Sequence, residues 1–294
     1  MAKERRSLNG KVVAITGGAQ GIGKATATAL VRKGCRVAIG DIDLALAEQT
    51  AAGLGGGTIA LPLDVTERSS FAGFIDEAAR QLGPVDVVIN NAGIMPVTAL
   101  VDESDDSIKR QLDINVYGVI VGTQLAIERM RPRGSGHIVN IASQAGKTAL
   151  PGIATYSGTK HAVVGICESV KAELRGSGVE VHCVMPTVVN TDLTAGLNQK
   201  LIPKVEAEDV ANEIVDALEL GRFDVYVPRS NAVMTRFAAL MPRRVGEAVG
   251  RLMKADKLMF EVDHGARRAY EERAAASEPS APDSPAEQPA RDAA

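Results

Sequence analysis

Residues 11–34 read KVVAITGGAQGIGKATATALVRKG. Lys11 to Thr16 is a short apolar run with β-branched residues, bounded by Gly10 and Gly17, which predicts a buried strand. A glycine-rich turn follows and opens into a helix that ends at Gly34. Gly17, Gly21 and Gly23 would let backbone approach a pyrophosphate at the helix N-terminus, where unpaired N–H groups and the helix dipole favour anions. A plain tight turn uses the same residue type, and the strand–turn–helix context is what points to a dinucleotide. Arg36 to Gly40 is the next strand, with Asp41 at its end. A carboxylate there can accept both ribose hydroxyls of an adenosine, and it would repel a 2′-phosphate. No Arg or Lys stands just beyond it, so NAD is the expected cofactor and NADP the less favoured one. The competing reading makes Asp41 a helix cap, but Asp43 is the better-placed cap.

Outward from this unit the pattern repeats. Leu44 to Leu54 reads as helix, Thr58 to Pro62 as strand, Glu67 to Leu82 as helix and Val85 to Ile89 as strand. Alternation of this kind predicts an α/β protein, a doubly wound parallel sheet with helices on both faces. Asp64 follows the third strand and Asn90-Asn91-Ala92-Gly93 the fourth, at the strand ends where such sheets bind ligands. Ser104 to Met130 carries one apolar stripe and reads as a long helix. Asn115 inside it is a poor helix former that needs partners, and Gly118 and Gly122 suggest a local irregularity or close packing. Val179 to Met185 is the sixth strand, ended by Pro186. A carboxyl-end loop runs to Thr191, Asp192 to Lys200 reads as a flap broken by Pro203, Glu208 to Leu220 as helix, and Asp224 to Val227 as a last strand.

Chemistry concentrates at Ser143, Tyr156 and Lys160. Val163, Ile166, Val170 and Leu174 recur at helical spacing from Thr155 onward. Tyr156 and Lys160 therefore share a helix face as an i, i+4 pair. An ammonium beside a phenol favours the phenolate and draws its pKa toward neutrality. Ser143 follows the apolar run His137 to Ala142, so its hydroxyl would sit at a strand's carboxyl end. Together they offer a hydroxyl to hold an oxygen, a phenol to exchange a proton and a cation to tune it. A YxxxK pair alone is commonly coincidence on an amphipathic helix; the upstream dinucleotide signals give it weight.

At 294 residues, 45% hydrophobic and 23% charged, the chain suits one soluble globular domain with appendages. No run approaches the length of a spanning helix, and the charged start MAKERRSLNGK lacks the apolar core of a secretory signal. A net charge of −3 argues against a nucleic-acid partner. Cys35, Cys167 and Cys183 form no CxxC and sit in apolar surroundings, which fits reduced thiols and a cytoplasmic location. His137, His161, His182 and His264 are scattered, with no metal-ligand spacing.

From Leu8 to Pro228 the chain resembles the classical short-chain dehydrogenases/reductases. TGGAQGIG at Thr16 to Gly23, Asp64-Val65, NNAG at Asn90 to Gly93, Asn115, Ser143 and YSGTK at Tyr156 to Lys160 come in that family's order. The resemblance implies a Rossmann-type sheet of about seven parallel strands and a catalytic set of Asn115, Ser143, Tyr156 and Lys160. It implies that Lys160 also binds the nicotinamide ribose and that Asn115 holds a water in a proton relay. It places Ile22 and Asn90 along the cofactor, Asp64 and Val65 at the adenine, and Val189 and Thr191 at the carboxamide. Gly17, Gly21, Gly23, Asp41, Ala92, Gly93, Tyr156, Lys160 and Pro186 complete the expected contacts. Thr187 stands where the family usually has Gly, beside the nicotinamide. The implied activity is NAD(H)-dependent interconversion of a secondary alcohol and a ketone. The rivals are a sugar-nucleotide epimerase or dehydratase of the extended type and a catalytically silent dinucleotide-sensing regulator. The resemblance also implies a homodimer or homotetramer, with the helices from Ser104 and Thr155 paired between subunits.

Three regions are expected: a catalytic domain over 1–228, a helical extension or lid over 229–276, and a Pro-rich disordered tail over 277–294. Between 229 and 260 seven basic residues stand against two acids, and four of the eight Met fall there. Two short amphipathic helices broken at Pro242 fit this pattern. A cap over the substrate cleft is the leading reading, ahead of peripheral membrane contact and a subunit contact. Met-rich lining would suit a bulky apolar substrate of steroid, retinoid or lipid type.

Overall fold

The computed structural model describes residues 4–197, 205–240 and 263–276. β1 (Val12–Thr16) is buried at every position, as a strand covered on both faces must be. α1 (Gly21–Arg32), β2 (Arg36–Asp41) and α2 (Leu44–Leu54) follow, then β3 (Ile59–Pro62), α3 (Arg68–Leu82) and β4 (Val87–Asn90). Asp43 caps α2, its Oδ1 accepting from the Leu46 N–H at 3.0 Å, which satisfies an orphan donor of the first turn.

The expected long helix is three pieces: α4 (Asp105–Leu112), a π-helical turn (Asp113–Tyr117) and α5 (Gly118–Met130). Ser104 caps α4 through the Ser107 N–H at 3.2 Å, with Asp105 and Asp106 in the first turn where the dipole favours them. The glycines pay for close approach. A Cβ on Gly118 would stand 3.1 Å from the Val65 side chain, and one on Gly122 would stand 2.2 Å from Asn90 Oδ1. Each would force neighbouring atoms apart in a close-packed interior.

β5 (Gly136–Ile141), α6 (Ala154–Glu173), β6 (Val179–Pro186), α7 (Ala207–Leu220) and β9 (Asp224–Val227) complete the main sheet. Seven parallel strands run in the order β3-β2-β1-β4-β5-β6-β9. The strand order reverses between β1 and β4, and a crevice opens at such a switch point beyond the carboxyl ends. One core layer gathers Phe71, Phe74, Ile138 and Met185; the other gathers Leu30, Ile39, Ile214 and Leu218. Each such side chain contributes about 1.5–3 kcal/mol on burial. A small parallel pair of β7 (Val189–Asn190) and β8 (Val205–Glu206) was not anticipated. α8 (Asn231–Leu240) and α9 (His264–Ala276) follow β9. The expected break at Pro242, the basic segment beyond it, the end of the flap with Pro203, and the tail lie outside the described residues.

Candidate active site

A cleft of about 560 Å³ runs along the carboxyl edge of the sheet, from Asp41 at one end to Tyr156 and Leu150 at the other. The turn after β1 forms its floor. A Cβ on Gly17 would lie 2.9 Å from Ala92 Cα, and one on Gly23 would lie 2.1 Å from the Gly17 carbonyl oxygen. Only bare backbone fits there. Gly17 and Gly21 have φ of 62° and 54°, in the left-handed region that glycine adopts without penalty.

Asp41 is half-buried at the rim. Its Oδ2 accepts from the Ala19 N–H at 3.0 Å and its Oδ1 from the Asp43 N–H at 3.2 Å. Burial nevertheless raises its pKa, with those backbone bonds opposing, so the carboxylate gains from further donors such as ribose hydroxyls. Ile22, Asp64, Val65, Ala92, Gly93, Pro186, Val189 and Thr191 line the cleft with it. Asp64 Oδ1 is already engaged by the Thr66 N–H at 2.8 Å and hydroxyl at 2.7 Å.

Asn90 does not turn toward the cleft. Its Nδ2 donates to Asn140 Oδ1 at 2.7 Å in a buried network with Thr123. The neighbour faces the cleft instead. Asn91 Nδ2 donates to the carbonyls of Thr16 and Gly17, both at 2.9 Å, and Thr16 Oγ1 accepts from the Asn91 and Ala92 N–H groups at 3.0 Å. Asn91 thus braces the glycine turn, a role the sequence reading missed.

Asn115, Ser143, Tyr156 and Lys160 come together at the other end. The π-helical turn delivers Asn115 fully buried; Oδ1 accepts from the Ile94 N–H at 2.9 Å, and Nδ2 donates to the Ile94 carbonyl at 2.8 Å and Thr159 Oγ1 at 3.2 Å. Gly93 leaves room beside it, since a Cβ there would be 3.1 Å from Asn115 Oδ1 and 3.6 Å from Lys160 Nζ. Ser143 ends the segment after β5, accepts from the Ala145 N–H at 3.1 Å, and shares a hydrogen bond with the Tyr156 hydroxyl. Lys160 Nζ donates to the Ile141 carbonyl at 2.8 Å and lies 5.6 Å from the centre of the Tyr156 ring.

The expected downward pull on Tyr156 is not what dominates. Burial raises its pKa, and the Ser143 hydrogen bond only partly opposes this. Burial also brings Lys160 down to about 8, because an enclosed site disfavours whichever form is charged. Next to Tyr156 the wall is apolar, formed by Met95, Val97, Ala145 and Ile153 with Leu193 and Leu197.

One feature of the far end also escaped the sequence reading. His137 and Glu180 are register partners on β5 and β6, and His182 lies two residues further along. His137 Nδ1 is 3.1 Å from His182 Nε2, and His182 Nδ1 pairs with the Arg222 carbonyl at 2.7 Å. The two histidines are therefore not scattered. Their ring centres are 5.4 Å apart, which sets the two nitrogens nearly in line, as a shared hydrogen requires.

A family model described as short chain dehydrogenase matches residues 11–202. The chain belongs to the short-chain dehydrogenase family. Zerumbone synthase of Zingiber zerumbet is 37% identical over 246 residues, covering 82% of this chain and 87% of that protein. The 17-beta-hydroxysteroid dehydrogenase 13 of Rattus norvegicus is 29% identical over 271 residues, covering 90% of this chain and 89% of that one. A solved short-chain dehydrogenase/reductase from Burkholderia phymatum in complex with NAD superposes with a TM-score of 0.73 at 26% identity, covering 79% of this chain and 93% of that chain. These relatives place the chain in a family of oxidoreductases. No helix among the described residues is long and apolar enough to cross a membrane.

Proposed function

We propose that the protein is an NAD(H)-dependent oxidoreductase that interconverts a secondary alcohol and a ketone, with a bulky apolar substrate. The carrying observation is one cleft that joins a glycine cradle and Asp41 at one end to the hydrogen-bonded Ser143–Tyr156 pair and buried Lys160 at the other. The cradle fits a dinucleotide: Gly17 and Gly23 leave no space for a side chain, and the α1 N-terminus favours a pyrophosphate. Asp41 would hold the adenosine ribose and disfavour a 2′-phosphate, hence NAD over NADP.

When bound, the nicotinamide supplies the hydride acceptor in oxidation and the donor in reduction. Tyr156, kept protonated at neutral pH, gives its proton to the substrate oxygen in reduction and takes it back in oxidation. Ser143 holds that oxygen. Lys160, near 8, changes protonation close to working pH and can pass on the proton that Tyr156 exchanges. Asn115, fixed on Ile94 and Thr159, is the next member of the relay. The apolar wall around Tyr156 excludes water and favours a bulky apolar substrate over a polyol.

Half-exposed Leu112 and Tyr117, on α4 and the turn after it, favour a homo-oligomer joined through this face and α6. The free, buried thiols of Cys35, Cys167 and Cys183 fit the cytoplasm. Initial rates followed by nicotinamide absorbance, with both cofactors and a panel of polycyclic, long-chain and polyol alcohols, test the reading. Turnover with NAD on the apolar alcohols is expected. A preference for polyols would overturn the substrate class, and NAD binding without any turnover would favour a regulator.

A further inference from the structure

α9 reaches the cleft through Tyr270. Tyr270 lines the cavity and is 8% exposed. Its hydroxyl accepts from the Met95 N–H at 2.7 Å, and among the described residues its own hydrogen has no acceptor. Burial raises its pKa to about 12, so the group is a neutral donor at every working pH. Tyr156 lines the same cleft. Met95, Leu193 and Leu197 of the apolar wall line it too. A buried hydroxyl donor without an acceptor is costly unless a ligand supplies one.

Arg267 fixes that donor in place. It is fully buried, and its guanidinium lies 4.8 Å from the Tyr270 ring centre. Nη1 donates to the carbonyls of Leu193 at 2.9 Å and Ala195 at 3.2 Å, Nη2 to the carbonyl of Met95, and Nε to Glu271 at 3.1 Å. The fork therefore ties the loop after β4 to the loop after β7, across the cleft mouth. Arg273 adds an ion pair to Asp192 at 2.7 Å. Gly196 lets the loop meet the helix, since a Cβ there would lie 2.5 Å from the Asp263 carbonyl oxygen.

We propose that Tyr270 is a substrate-binding residue that donates to a second oxygen of the substrate, with Arg267 as its positioning residue. The substrate class narrows accordingly to a bulky apolar alcohol or ketone that carries a further hydroxyl or carbonyl oxygen within reach of α9. This rests on the alcohol–ketone reading above.

A substrate cycle tests it. kcat/KM is measured for a polycyclic secondary alcohol and for a series of the same skeleton bearing a ketone at successive positions, with the unmodified protein and Tyr270→Phe. One member of the series should exceed the parent by about tenfold, the worth of one hydrogen bond. Tyr270→Phe should erase that preference, bringing kcat/KM of the favoured member down to that of the parent alcohol. Arg267→Met should raise KM for the favoured member, and Arg267→Lys should recover part of the loss. A preference that survives Tyr270→Phe, or its absence throughout the series, sinks the proposal while leaving alcohol oxidation intact. No turnover of any member by the unmodified protein would sink the reading beneath it.

Discussion

Replacing Lys160 by Met should change how stability depends on pH. Lys160 is 4% exposed, and burial takes its pKa from 10.5 to about 8. At about 1.4 kcal/mol per pH unit, the charged side chain costs the folded state about 3 kcal/mol. Above 10.5 both folded and unfolded chains carry a neutral amine, and the penalty is absent. Between 10.5 and about 8 the unfolded chain binds the proton and the native one does not, so stability is lost as pH falls through this window. Below about 8 the loss is complete. Met has no such titration. Tyr156, whose pKa burial raises, pulls the other way above pH 10 in both proteins, and so drops out of their difference. Urea unfolding of both proteins at pH 7, 8, 9 and 10 reads the effect. The stability of the unmodified protein relative to Lys160→Met should climb by about 2–3 kcal/mol across that range. Parallel profiles would refute a buried, strained ammonium at this site.

Acid should act through His182, which burial brings from 6.5 to about 4. Its neutral form contributes stability that is complete above 6.5 and lost as pH falls toward 4, by about 3 kcal/mol; a Tm that stays flat from pH 7 to 4.5 would contradict this. Gly23→Ala should abolish NAD binding by calorimetry while the fold survives by circular dichroism, because the new methyl meets the Gly17 carbonyl. Asp41→Asn should improve the NADP-to-NAD ratio of kcat/KM at least about fivefold, since a charge repulsion of about 1–4 kcal/mol is removed; an unchanged ratio would place discrimination elsewhere.

The sheet was readable because most strands are short apolar runs with β-branched residues, several of them closed by Gly, Pro or Asp, and the helices between show a period of three to four. Boundaries moved by one or two residues where ends are set by ladder pairing, as at β4. Asn115, Gly118 and Gly122 marked an irregularity in the long helix, but its π-helical form depends on contacts with Val65, Asn90 and Ile94 from other segments. β7 and β8, two residues each, are too short to show a period. Asn90 and Asn91 are adjacent in sequence, and only the pleat decides which one faces the cleft. The histidine pair depends on the β5–β6 register, and Arg267 looked like any charged residue on a polar helix. The balance at Tyr156 was misjudged for the same reason: a neighbouring cation is visible in sequence, whereas the burial that outweighs it is a property of the packed site.

Removing one hydroxyl, by Tyr156→Phe, decides whether this phenol carries the proton. With NAD affinity measured by calorimetry and turnover by nicotinamide absorbance on an accepted alcohol, affinity should stay within about twofold of the unmodified protein and turnover should fall by about 10² to 10⁴. Turnover within about tenfold of the unmodified protein would contradict that role.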